Sequence, residues 1–113
     1  MREIKFRVWD SISTAYHYWG NIQDNKFNDF DLEHYTLEQF TGLKDKNGVD
    51  IYENDIVIQT IESEYLDRSD WRIIEGFVKM IEGCWFVGST KYPLHAFSNR
   101  ITGNIHQNPE LLN

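Results

Sequence analysis

A chain of 113 residues and 13.5 kDa is the length of one domain and long enough to bury a core without disulfides or metals. Its 41% hydrophobic and 15% aromatic content, with four Trp, excludes a disordered polymer, and a net charge of −7 disfavours general binding to nucleic acid or anionic membranes. The single cysteine, Cys84, excludes an intrachain disulfide, and no Asn-x-Ser/Thr sequon occurs, so a reducing, cytoplasmic setting is expected.

Counted by halves, the acidity is even: −3 over residues 1–50 and −4 over residues 51–113. MREIKFRVWD places charges where a signal peptide needs an apolar core. No apolar run approaches the ~20 residues of a membrane span, so neither secretion nor membrane insertion is expected.

In chain order, Glu3 to Trp9 alternates with a period of two. Ile4, Phe6 and Val8 point one way and Lys5, Arg7 and Trp9 the other, the pattern of a half-buried strand. Asp10-Ser11 opens a turn, and Tyr16-His17-Tyr18-Trp19 returns as the second arm of a hairpin. Residues 20–31, rich in Gly, Asn and Asp, predict an irregular loop. Asp31 to Phe40 fits a short helix turn or a strand, and a strand ending near Thr41 is the preferred reading. Thr41-Gly42 and Asp45-Lys46-Asn47-Gly48 then predict two chain reversals within eight residues, because Gly and Asn tolerate positive φ.

Ile51 and Tyr52 are expected to anchor a short bend in the core, with Asp55 capping a local turn. Ile56 to Ile61 is a β-branched strand. Glu62 to Asp70 carries four acids and one Arg, the composition of an exposed connection. A tight turn at Glu82-Gly83 joins a strand through Gly76 to Met80 with Cys84 to Val87. Tyr92-Pro93 interrupts the ladder, Asn99 to Ile105 supplies one more strand, and Asn108-Pro109 ends regular structure. Gly103-Asn104 is read as permitting close approach of a neighbouring strand, and Pro109 to Leu112 as docking a terminal apolar pair.

With no amphipathic helix of ~10 residues or more, these elements predict an antiparallel all-β domain. Residues 51–113 read as a small SH3-like barrel and residues 1–50 as an accessory N-terminal β-sheet, two lobes of a single domain over residues 1–113.

Sites of chemistry are sparse. LKDKNGVDIYEN has Asp45, Asn47 and Gly48 at the offsets of a calcium loop, but Leu43 and Asn54 stand where the first carboxylate and the terminal Glu belong. His17, His34, His95 and His106 show no metal-ligand spacing and read as surface or hydrogen-bonded histidines. Cys84, beside Trp85 with no adjacent base, reads as a buried, inert thiol. Neither a G-x-S-x-G elbow nor a phosphate loop occurs. No catalytic residue, cofactor site or metal site is assigned. The candidate interaction surface is Lys5, Arg7, Trp9, Tyr16, Tyr18 and Trp19, an aromatic cluster with basic neighbours on the first hairpin. Such a cluster suits a subunit interface, or stacking of single-stranded nucleic acid, which the net charge disfavours.

Three blocks, MREIKFRVWD, QFTGLKDKNGVDIYENDIV and ITGNIHQNPELL, together resemble the YopX-like family of phage and prophage proteins. The resemblance covers about two fifths of the chain. It implies an all-β fold, a tendency to homo-oligomerise and no assigned biochemical activity, with no family catalytic residues to carry over. The expectation is a non-enzymatic, cytoplasmic β-domain that self-associates and acts through contacts with an unknown phage or host protein. The alternatives are a single-stranded nucleic-acid binder, or an acidic DNA mimic inhibiting a host nucleic-acid enzyme.

Overall fold

A computed structural model describes residues 3–20, 34–61 and 72–112. The expected loop over 20–31 and the expected connection over 62–70 lie outside these residues, except Gly20. The architecture is all-β, in two antiparallel sheets. The first contains β1 (Phe6–Asp10), β2 (Ala15–Tyr18), β3 (Tyr35–Lys44) and β4 (Asp50–Tyr52), in the order β2-β1-β3-β4. The second contains β5 (Asp55–Ile61), β6 (Arg72–Ile81), β7 (Cys84–Val87), β8 (Ser89–Pro93) and β9 (Ser98–Asn104), in the order β8-β7-β6-β5-β9.

The first hairpin forms as the aromatic run predicts, with Arg7 opposite Tyr18 and Trp9 opposite Tyr16. Its turn is closed by Asp10 Oδ1, which accepts hydrogen bonds from the amides of Ile12 and Ser13. The alternation of β1 is kept, but the strand is not half-buried: Arg7, Val8, Trp9 and Asp10 are all buried. The face that carries Arg7 and Trp9 is covered by Asp55 at the start of β5 and by His106 in the loop after β9.

β3 runs on through Thr41-Gly42, so the chain reverses once in this stretch rather than twice. Gly42, at φ 86°, lies where the β3–β4 register shifts and makes an irregularity within the strand. The reversal is the Asp45 to Gly48 turn. Gly48 donates its amide to the Asp45 carbonyl, and Asp45 Oδ1 accepts from the amides of Asn47 and Val49. Gly48 has φ +82°, and a Cβ there would meet nothing within 4 Å, so a larger side chain is penalised by backbone strain alone. Gly48→Val is therefore expected to destabilise the protein by about 1–3 kcal/mol, read as a lower thermal midpoint; an unchanged midpoint would disprove this turn geometry.

The passage between the sheets is made at Glu53-Asn54, and β4 pairs with β3. The boundary between 50 and 51 read from sequence therefore falls inside a strand of the first sheet. Asn54 takes a left-handed φ of 70°, which Asn tolerates, and is tied on several sides. Its amide donates to the Val78 carbonyl, its carbonyl accepts from Ile105, and its Nδ2 donates to Glu38.

Ile51 and Tyr52 are buried as expected. Ile51 packs with Val57, Val78, Trp85, Val87 and Leu94, and Leu43 of β3 lies against the same cluster. Side chains of the first sheet thus complete the core of the second. In the second sheet, Glu82 and Gly83 both take positive φ and close the expected β6–β7 hairpin. β7 turns Trp85 and Val87 inward, which leaves Cys84 exposed, not buried as the sequence suggested. Pro93 ends β8 rather than breaking it, at the sheet edge where its missing N–H is tolerated, and a short 3-10 turn, Leu94–Ala96, leads to β9.

Strand pairing leaves this sheet a curled half-barrel with β8 and β9 at its edges, so SH3-like closure is carried by no ladder among the described residues. Gly103 pairs with Ile56 of β5 beside a register shift, and a Cβ there would also run into the Asn108 side chain. In the final 3-10 turn, Pro109–Leu112, Leu111 is half-buried and Leu112 exposed, so the expected apolar pair docks only in part.

Candidate functional site

The joint between the sheets gathers most of the predicted aromatic cluster around Arg7. Arg7 is 4% exposed, and its fork joins two buried carboxylates: Nε donates to Glu38 Oε1 at 2.8 Å and Nη2 to Asp55 Oδ1 at 2.8 Å. Register explains the first pair, because Arg7 and Glu38 are direct cross-strand partners on β1 and β3. The second arises because Asp55 begins β5 and turns back to accept the Tyr52 amide, the local cap anticipated from sequence. The guanidinium also lies over two rings, 4.0 Å from the centroid of Tyr16 and 4.7 Å from that of Tyr52.

Glu38 is fully buried, and its other oxygen accepts from Asn54 Nδ2 at 2.8 Å and from His106 Nε2 at 2.9 Å. His106 is held in place from both sides. Its ring stacks on Trp9 with centroids 4.9 Å apart and planes 7° apart. Its backbone sits in a loop organised by Asn104, whose Oδ1 accepts from the amides of His106 and Gln107.

Burial opposes the Arg7 charge, but the carboxylates of Asp55 and Glu38 outweigh it and raise the guanidinium further. Burial likewise pushes the Asp55 carboxyl up, against the pull of Arg7, and pushes the Tyr16 phenol up.

Of the six surface candidates, Arg7, Trp9, Tyr16 and Tyr18 are brought together here, but Arg7 and Trp9 are buried. Lys5 is half-buried, with its ammonium 2.6 Å from Asp50 Oδ2 and 4.5 Å from the Phe40 ring centroid. The hydrogen bond from Lys5 and a second from Lys44 hold the Asp50 carboxyl below its usual range, although burial opposes them. Trp19 lies apart, half-buried against Phe6 on the other face of the sheet. The two cations expected to serve a partner are thus neutralised within the fold. Tyr18, at 48% exposure, is the member left open.

Beside this joint is an open cleft of about 420 Å³, lined by Arg7, Tyr16, Tyr18, Tyr52, Asn104 and Gln107 among others. Val49, 52% exposed, stands in its wall. Sequence reasoning missed Glu38, Asn54 and His106 as members of the joint. The usable signal was the Arg7–Glu38 register, which needs the strand pairing to be known.

Among the described residues, no three His, Cys, Asp or Glu side chains are grouped to hold a metal, and no helix is long and apolar enough to cross a membrane. The fold and joint define a class: all-β proteins of two antiparallel sheets closed on one another by a buried charged network. The chain belongs to the YopX family, whose model, described as YopX protein, matches residues 5–113. It is similar in structure to protein EF1440 from Enterococcus faecalis, a crystal structure, with a TM-score of 0.67 and 24% identity over 100% of both chains. At that identity the likeness speaks for the fold alone. No curated protein matches the chain.

Proposed function

We propose that this YopX family member is a phage- or prophage-encoded, non-enzymatic protein of the bacterial cytoplasm that self-associates and acts through contacts with a phage or host protein. One observation carries the reading: the cations of the aromatic cluster are consumed by internal carboxylates, while Tyr18 and Val49 stay half-exposed at an open cleft. Exposed aromatic and aliphatic groups beside Asn and Gln amides suit a protein surface better than a phosphate backbone. Against single-strand binding stands the loss of Lys5 and Arg7 to Asp50, Glu38 and Asp55.

The test combines sedimentation of the full chain with affinity capture from infected or prophage-induced cells, one arm treated with nuclease, for the natural protein and Tyr18→Glu. The expected result is a mass above the 13.5 kDa monomer and a specific partner that survives nuclease, both weakened in the variant. A monomer whose capture vanishes with nuclease, or which retards a single-stranded oligonucleotide at low salt, would replace this reading with the nucleic-acid one.

A further inference from the structure

Three side chains lining the cleft hold hydrogen-bond donors that the fold does not use, and the fold decides which ends they present. Asn104 organises the loop after β9: its Oδ1 accepts from the amides of His106 and Gln107, which fixes its Nδ2 as a donor. That Nδ2 donates to Gln107 Oε1 at 2.7 Å, and the Asn104 amide donates to Asn108 Oδ1 at 3.3 Å. Both oxygens are thus held within the loop, and the NH2 ends of Gln107 and Asn108 have no acceptor among the described residues. Arg7 repeats the pattern. Its Nε is committed to Glu38 and its Nη2 to Asp55 and the Glu53 carbonyl, so Nη1 has no acceptor among the described residues. Arg7 is only 4% exposed, yet Nη1 is not sealed from solvent, and Arg7 meets solvent at the cleft.

The charges at the cleft, by contrast, are taken. Its charged lining consists of Arg7, Asp50 and Asp55, each paired inside the fold: Arg7 with Glu38 and Asp55, Asp50 with Lys5 and Lys44. A phosphate or carboxylate would meet two carboxylates and no unanswered cation. A neutral carbonyl oxygen can take the unused donors without that repulsion. The walls narrow the choice of carrier. Tyr18 meets Tyr16 at 40° and Tyr52 at 70°, so it forms with neither a parallel slot for a flat base. Val49 and Ile101 offer aliphatic contact instead. At about 420 Å³ the cleft lies within the range of ligand-sized sites, roughly 300–1,000 Å³.

We propose that the cleft binds an extended, uncharged segment of a partner polypeptide, whose main-chain carbonyls accept from Arg7 Nη1, Gln107 Nε2 and Asn108 Nδ2 while an aliphatic side chain packs on Val49 and Tyr18. The inference rests on the proposed function, in which the partner is a protein, and adds the chemistry that holds it.

The test is a titration of the isotope-labelled full chain with a blocked neutral peptide, acetyl-alanyl-leucyl-alanine amide, followed by the side-chain amide resonances of Gln107 and Asn108. Uridine, acetate and inorganic phosphate form separate arms. The peptide should move both pairs of resonances saturably at millimolar concentration, and the two anions should not. Gln107→Glu and Asn108→Asp keep the oxygen that the loop holds and replace the unused donor by an acceptor, so the denaturant midpoint should stay close to that of the natural chain. Each should weaken peptide binding by roughly two- to tenfold, the worth of one hydrogen bond. No movement at tens of millimolar peptide, or peptide binding unchanged in both variants, overturns the proposal. So does uridine, acetate or phosphate moving these resonances at lower concentration than the peptide. A sedimenting mass that falls as peptide is added would assign the cleft to a second copy of this chain instead of a partner. The titration needs no partner, so its failure leaves the capture experiment to judge the proposed function separately.

Discussion

Arg7→Ala is expected to lower stability by about 3–5 kcal/mol, because it leaves two buried carboxylates facing one another with no permanent cation between them. Domains of this kind are typically worth only about 5–15 kcal/mol, so the urea midpoint should fall by at least about a fifth, and a variant at the low end of that range would be largely unfolded. The loss is more than electrostatic. Without the guanidinium the rings of Tyr16 and Tyr52 lose the plate they pack on, and the Glu53 carbonyl loses its donor. Arg7→Lys should recover little, since a single ammonium cannot offer Nε to Glu38 and Nη2 to Asp55 at once. A midpoint for Arg7→Ala within error of the natural protein would mean that water already reaches the two carboxylates.

The same residue shows what the sequence could and could not disclose. Strand identity, the first hairpin, the Asp45 to Gly48 turn and the Glu82-Gly83 hairpin were legible because each depends on local rules: side-chain period, β-branching and positive φ. The joint depends on register and on which faces meet, and neither is local. Arg7 alternates with Phe6 and Val8 as a solvent-facing residue would, and only its placement opposite Glu38 and against Asp55 makes it an interior one. Cys84 shows the same limit in reverse: an apolar run, Cys84-Trp85-Phe86-Val87, says strand, but the register alone decides that Trp85 and Val87 take the inside.

Charge counting by halves concealed a further pattern. Residues 21–33 and 62–71 each carry four acids and one base, so together they hold six of the seven net negative charges. The strands that build the sheets and their joint are close to balanced. The family blocks had a physical content that only the fold reveals: Arg7, Asn54, Asp55 and His106 come from all three, and each contributes to one network. Glu38, the fully buried centre of that network, lies just before the middle block and gave no sign of its role.

Asp45→Ala is the second substitution expected to have a large effect, on the order of 3 kcal/mol, because one side chain there serves three backbone amides. Its Oδ1 accepts from Asn47 at 2.9 Å and Val49 at 3.0 Å, and its Oδ2 crosses to β9 and accepts from Ile101 at 3.1 Å. The carboxylate therefore closes the turn and also fastens it to an edge strand of the other sheet, beside the bond from the Lys46 amide to the Asn99 carbonyl. Alanine leaves the first two amides to solvent and opens the β9 edge, so added aggregation on unfolding is also expected. Asp45→Asn keeps an acceptor oxygen and should cost roughly half as much. Burial disfavours the charged form of Asp45, but the amides of Val49, Ile101 and Asn47 outweigh it and hold the carboxyl below its ordinary value of 3.8. A carboxyl depressed in the folded state stabilises above its unfolded value, and that contribution is lost as pH falls through the folded one. The gap between the natural chain and Asp45→Ala should therefore be full near neutrality and close on acidification below about pH 4. Denaturant midpoints of both chains from neutral to strongly acid pH measure that gap. A gap that stays constant into acid would show that shape, not charge, makes Asp45 the fastener between the turn and β9.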